Sequence, residues 1–230
     1  MKVLVIGATG GSGLSAVKNL LKRGHDVTAM TRGAPHALPA HPRLAIVKGD
    51  ATDDQAVARA VANHDAVVVT LGIRENPIRV RLFGAANTAT DVRSRGTRAV
   101  IRAMRAAGVR KLVVQTSYGV GATRDKLTLL DKIFFAIFIK GQIADTEVQE
   151  AEVTESGLDW VLVQPVHLTD DDVDDAPFAS LRGERETSKI SRASVGRFLA
   201  DAVESPRFVR QSVALSAPRA GTAPETRPAV

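Results

Sequence analysis

The sequence predicts an α/β fold, a doubly wound parallel sheet flanked by helices, and three observations carry that prediction. Strand and helix signals alternate from Lys2 to Gln164. The strand segments, among them VLVI (Val3–Ile6) and AVVVT (Ala66–Thr70), are continuous apolar runs, the pattern of strands buried on both faces. A glycine-rich stretch, GATGGSG, joins the first strand directly to the first helix.

Taken in order, Lys2–Ile6 is rich in β-formers and Gly11–Arg23 reads as a helix stopped by Gly24. Asp26–Thr31 is a second strand. Residues 33–42 hold three prolines and read as a loop, and Leu44–Lys48 is a third strand. Asp53–Ala62 is a short helix with acidic residues at its start, as the helix dipole favours. Ala66–Thr70 is the fourth strand, and residues 72–90 are irregular. Asp91–Ala107 is a helix closed by Gly108, Lys111–Thr116 a fifth strand, residues 125–156 helical with a break near Gly141, and Trp160–Gln164 a sixth strand. Beyond Asp170 an acidic loop leads to a strand at Glu186–Ile190. A helix from Ser191 or Arg192 to Val203 and a last strand at Ser212–Leu215 follow. The expected organisation is one domain over residues 1–216, with a small C-terminal region on the substrate side. Residues 217–230 read as a disordered tail, since they hold Pro, Gly, Thr and Ala without periodicity.

Composition narrows the function classes. The chain has 230 residues, 44% hydrophobic, enough for a sizeable core. It has no cysteine, which removes disulfides, thiolate metal sites and a cysteine nucleophile and fits a cytoplasmic setting. No basic n-region with an apolar h-region opens the sequence, so no leader is expected. The longest apolar run, Ile133–Ile139, is far shorter than the roughly 20 residues of a membrane span; it reads as a buried helix or pocket wall, or as a membrane-interface or subunit contact. The net charge is +6, but with one Trp and one Tyr, base-stacking platforms are scarce. Arg93, Arg95, Arg98, Arg102 and Arg105 read as a solvated helix face, and no nucleic-acid partner is expected. Asp145, Glu147, Glu150 and Glu152 read as a second solvated face. The acidic run from Asp170 to Asp175 lacks the spacing of a calcium loop, and no metal site is expected.

The chemistry concentrates in the glycine stretch. Gly7 permits a tight turn, Gly10 lets backbone approach a pyrophosphate, and Gly13 lets helix and strand pack closely. With Gly11, they open a helix whose first N–H groups can face phosphates. The hydroxyls of Thr9 and Ser12 can add hydrogen bonds. This is a Rossmann-like dinucleotide cradle. The second strand ends Met30-Thr31-Arg32 without the carboxylate that would favour a free ribose 2′-hydroxyl. Arg32 suits a 2′-phosphate instead, which points to NADP(H); the alternative is a surface arginine at a strand end. Asp50, followed by Ala51, could accept from an adenine amino group or simply form a helix-leading turn. Leu71 and Gly72 end the fourth strand where a small residue admits a ribose, and Arg74 follows within reach of the pyrophosphate.

GATGGSG, GDATD, the strand ending TLG and the strand ending QTS resemble the atypical short-chain dehydrogenase/reductases of the NAD(P)H-binding (NmrA-like) superfamily. ESGLDWVLVQPVHLTD and SKISRASVGRFLADAV resemble the biliverdin reductase B (flavin reductase) group more narrowly. The resemblance covers roughly residues 1–216. It implies NADPH-dependent reduction of a small conjugated acceptor, a flavin, quinone or tetrapyrrole. It also implies that Thr116 is a cofactor-binding residue, that Ser117 lies beside the nicotinamide or substrate, that Pro165, Val166 and His167 form the nicotinamide wall, and that His167 is the polar group nearest substrate. A hydrogen-bonded structural histidine is the alternative for His167. One departure matters: residue 122, four after the only tyrosine, Tyr118, is alanine, so the Tyr-x-x-x-Lys pair of carbonyl-reducing relatives is missing. That keeps a non-catalytic NADP(H)-binding sensor or assembly factor as the competing reading. The oligomeric state stays open.

Overall fold

The computed structural model describes residues 1–33, 35–72, 90–127 and 140–219. Arg74, the apolar run Ile133–Ile139 and most of the tail therefore lie outside the described residues. Five helices and ten strands are described: β1 (Lys2–Ile6), α1 (Gly11–Lys22), β2 (Asp26–Thr31), β3 (Leu44–Lys48), α2 (Asp54–Val61), β4 (Ala66–Val69), α3 (Val92–Ala107), β5 (Lys111–Gln115), α4 (Lys140–Thr154), β6 (Asp159–Pro165), β7 (His167–Thr169), β8 (Phe178–Ser180), β9 (Lys189–Ser191), α5 (Arg192–Glu204) and β10 (Gln211–Ser216). Eight strands form one sheet in the order β3-β2-β1-β4-β5-β6-β10-β8, parallel except for β8 against β10.

Alternate residues of the central strands enter two cores. Val3, Val5, Val68, Val113 and Val161 face Ala16, Val17 and Leu20 of α1 and Val195, Leu199 and Val203 of α5. Leu4, Ile6, Val67, Val69, Leu112 and Val114 face Val57 and Val61 of α2 and Val100 and Met104 of α3. Both faces of the sheet are covered, so the strands carry no polar alternation. The helix ends follow local chemistry. Asp53 caps α2 by accepting from Gln55 N and Ala56 N at 2.9 and 3.1 Å. Gly108 closes α3 in the left-handed region, φ 72°. Ser191 caps α5 through Ser194 N at 2.9 Å.

Four expectations need correction. The strand expected at Glu186–Ile190 runs Lys189–Ser191 and pairs with β7, in which His167 stands opposite Lys189. His167 thus opens a short strand. The antiparallel strand β8 was not expected; its three residues, FAS, are too few to show a period. The other two concern Arg93 and α4 and are described with the site.

The topology places the site. From β1 the chain builds outward to β2 and β3, then returns to lay β4 on the other side of β1. Above the carboxyl ends of β1 and β4, the connections diverge and leave a crevice.

Candidate functional site

Gly7 leaves β1 with φ +84°, and a Cβ there would stand 2.7 Å from Thr70 O. Gly10 N donates to Gly7 O at 2.9 Å, which closes the turn. Gly10 is the N-cap of α1 and supplies no side-chain cap, so the first turn carries the partial positive charge of an uncapped helix end. Gly13 lies in that turn, and a Cβ on it would collide with Gly7 O and stand 2.6 Å from Thr70 Oγ1. Thr70 holds the loop from the other side: its hydroxyl is 3.1 Å from Ile6 O and 3.2 Å from Gly7 O. Nothing in the sequence reading singled out Thr70; its place at the end of the strand beside β1 was the available signal.

A cleft of about 640 Å³ opens over these strand ends. Of the expected site residues, Gly7, Thr9, Gly10, Arg32, Asp50, Ala51, Leu71 and Gly72 border it, with Met30, His36 and Val92 as additions. Gly11 is exposed beside it, and Ser12 and Gly13 are buried in the first turn of α1. A smaller cleft, about 380 Å³, lies between Lys2 and His64 at the opposite strand ends. Sheets of this kind bind ligands at the carboxyl ends, which makes the larger cleft the candidate site.

Arg32 Nη1 stands 4.0 Å from Asp50 Oδ2, with both side chains about half exposed (48% and 45%). Asp50 Oδ1 accepts from Thr52 N and Thr52 Oγ1, both at 2.8 Å. Partial burial works to raise the Asp50 pKa, but the Thr52 hydrogen bonds and the charges of Arg32 and Arg95 outweigh it and hold the carboxyl below its usual value. The cleft end therefore carries a cation beside a firmly ionised carboxylate. Arg93 is not part of a solvated face, although Arg95, Arg98, Arg102 and Arg105 are exposed. Its Nη1 donates to Leu71 O at 3.1 Å, and Nη2 lies 3.3 Å from where a Gly72 Cβ would be. Burial pushes its pKa down while the Asp145 carboxylate opposes that.

Helix α4 is the fourth correction. Asp145 and Glu150 are buried rather than solvated. Asp145 accepts from the N–H groups of Arg93 and Ser94 at 3.1 and 3.2 Å and so caps α3 from a distance. Glu150 accepts from Thr116 Oγ1 at 2.6 Å and from Gln164 Nε2 at 2.9 Å. The Thr116 hydroxyl is thus turned to α4. Glu147 and Glu152 pair with Arg124 and Arg98. Polar groups at the ends of β5 and β6 need partners under α4, and a charge pattern on one helix cannot show that.

Burial raises the Glu150 pKa, against the Thr116 and Gln164 hydrogen bonds. A carboxyl whose folded pKa exceeds its unfolded value favours folding below the unfolded pKa, about 4.3. That contribution is lost as pH rises through the folded value. Glu150→Gln should remove this decline. In denaturant unfolding across pH, wild type should lose stability relative to the variant as pH rises from about 4.3; parallel curves would sink the assignment.

Thr116, Ser117, Pro165, Val166 and His167 gather at the neighbouring strand ends, beside the larger cleft but not in its lining. Tyr118 N donates to Pro165 O at 2.9 Å, which locks the β5 turn to β6. Ser117 is half-buried, Val166 is buried and His167 is exposed. Tyr118 itself is buried, and its hydroxyl donates to Gly183 O at 3.0 Å, under the Arg185 guanidinium. Among the described residues there is no cluster of His, Asp and Glu able to hold a metal ion, and no helix long and apolar enough to cross a membrane.

Comparison with known proteins agrees with this geometry. A family profile described as NAD(P)H-binding matches residues 7–206. A 3-beta-hydroxysteroid dehydrogenase of Mycolicibacterium neoaurum is 37% identical over 126 residues, 52% of this chain and 32% of that protein. The match thus spans about a third of that relative's length. Among solved structures, a short-chain dehydrogenase/reductase of Veillonella parvula in complex with NADP superposes with a TM-score of 0.74 at 17% identity, covering 94% of each chain. ChuY, an anaerobillin reductase of Escherichia coli O157:H7, gives 0.73 at 22% identity, covering 97% of this chain and all of the other. At these identities the structures establish a shared fold.

Proposed function

The chain belongs to the NAD(P)H-binding family, and on that premise we propose that it is an NADPH-dependent reductase of a flat conjugated acceptor such as a flavin, quinone or tetrapyrrole. The residues present suit the cofactor. Gly10 lines the cleft, where a Cβ would stand 3.3 Å from Gly7 O, and the uncapped start of α1 matches a pyrophosphate in sign. In this reading Gly7, Thr9, Gly10, Gly11, Ser12 and Gly13 hold the pyrophosphate, with Arg74 beyond them. Arg32 pairs with the 2′-phosphate, Asp50 and Ala51 border the adenine, and Leu71 and Gly72 leave room for ribose. Thr116, Pro165 and Val166 shape the nicotinamide wall, while Ser117 and His167 orient the acceptor.

The observation that carries the acceptor class is the commitment of Tyr118. The only tyrosine in the chain gives its hydroxyl to Gly183 O inside the fold, which leaves no phenol to protonate a carbonyl. When bound, NADPH supplies hydride; an acceptor that delocalises the added charge can take its proton from solvent. The same observation favours a second reading, an NADP(H)-binding sensor without turnover.

Purified protein titrated with NADPH and NADH, then assayed for NADPH oxidation with FMN, a quinone or biliverdin, separates these readings. Turnover with one of them is expected. Tight NADPH binding with no turnover gives the sensor. In the same assay His167→Ala should lower acceptor turnover by about a hundredfold, the cost of a misplaced reactant or a lost proton-transfer group. NADPH affinity should be unchanged. Unaltered kinetics would make His167 a structural residue.

A further inference from the structure

Arg192 occupies a place that the cofactor reading above does not use. It is the first residue of α5, and its side chain lies across the first turn of α1. A Cβ on Gly11 would collide with its stem and stand 3.4 Å from its Nε. The position is built by the packing of the two helices. Gly196 leaves no room for a Cβ, which would stand 2.6 Å from Ala16 N, and Ser15 Oγ donates to Ala193 O at 2.9 Å. The guanidinium is thereby held over the same helix end that forms the glycine cradle.

That end of a helix carries partial positive charge, so a cation there has the wrong sign unless an anion accompanies it. The anion in this structure is Asp170, whose Oδ1 is 2.7 Å from Arg192 Nη1. Asp170 directly follows β7, the strand opened by His167. Its carboxylate is 87% exposed, whereas the arginine is 32% exposed. A pair with one partner in solvent is worth little and is readily exchanged.

We propose that Arg192 is a cofactor-phosphate ligand and that Asp170 is its internal placeholder, displaced when the dinucleotide pyrophosphate arrives. The inference rests on the NADP(H) reading and adds a residue and a competition to it. Phosphate suits both the arginine fork and the helix amides, so one anion satisfies what two separate features request. The exchange also releases Asp170 from α5 at the end of the strand that carries His167, which couples cofactor occupancy to the acceptor side.

The test is NADPH affinity of the full chain in wild type, Arg192→Met, Asp170→Asn and the double variant, with 2′-AMP as a second probe. Methionine keeps the stem over Gly11 and removes the charge. Arg192→Met should weaken NADPH by roughly tenfold or more, the effect of a lost charge-assisted bond, and leave 2′-AMP unchanged because that probe has no pyrophosphate. Asp170→Asn should tighten NADPH, and this gain should vanish in the Arg192→Met background. NADPH binding within about twofold of wild type in both single variants overturns the inference and leaves the cofactor reading intact. Wild type that binds no NADPH overturns the cofactor reading itself. Asp170 is exposed, so its variant reports even if Arg192→Met folds poorly.

Discussion

Gly13→Ala should abolish measurable dinucleotide binding and lower stability by about 1–3 kcal/mol or more, the cost of forcing a methyl group into a filled space. The added Cβ would meet the Gly7 carbonyl oxygen and Thr70 Oγ1, and neither can retreat. Gly7 O closes the turn with Gly10 N, and Thr70 Oγ1 is tied to Ile6 O and Gly7 O. Relief requires α1 to move off β1 or the loop to open, and either movement displaces the amides that face the cleft. Thermal unfolding and NADPH titration read the two effects. Gly33→Ala is the matched control: it borders the same cleft, but no atom lies within 4 Å of its added Cβ, so its stability should stay within about 0.5 kcal/mol of wild type. A Gly13→Ala protein that binds NADPH normally would show that the cradle is elsewhere.

Arg32→Ala should weaken NADPH by about 1.5–3 kcal/mol, roughly ten- to 150-fold, while NADH affinity changes by less than about twofold. The pair with Asp50 is long, 4.0 Å, and both partners are about half exposed, so this contact is weak and a phosphate can replace it. A phosphate gains the full planar fork of the guanidinium, which a distant carboxylate does not engage. NADH, lacking that phosphate, loses nothing. Parallel titrations of both cofactors give the ratio, and equal losses would remove Arg32 as the phosphate reader. The same substitution should let the Asp50 pKa rise, because one of the charges that lowers it is gone.

Much of the sheet was legible because its residues signal locally. VLVI, AVVV and KLVVQ are buried on both faces, so each announces a central strand without reference to its neighbours. Gly24, Asp53 and Gly108 mark helix ends through their own backbone or side-chain chemistry. The glycine turn was legible for the same reason: its spacing satisfies the tight turn and the helix contact within seven consecutive residues. The short strands β7, β8 and β9 were misread or missed, since three residues carry too little pattern.

The parts that only tertiary structure decided involve partners distant in the sequence. Glu150 resembles its acidic neighbours on one helix, yet the ends of β5 and β6 draw it inward through Thr116 and Gln164, 34 and 14 residues away. Asp145 resembles a surface carboxylate until the start of α3, 51 and 52 residues earlier, is seen to lack its own cap. Arg192 becomes a candidate phosphate ligand only when α5 lies against α1, across 181 residues from Gly11. By itself the sequence determined the doubly wound sheet and the glycine turn after β1, because periodicity and glycine stereochemistry act within a few residues. Tertiary structure decided which charges are buried, paired or held over the cradle, because burial and electrostatic partners depend on which surfaces the helices cover.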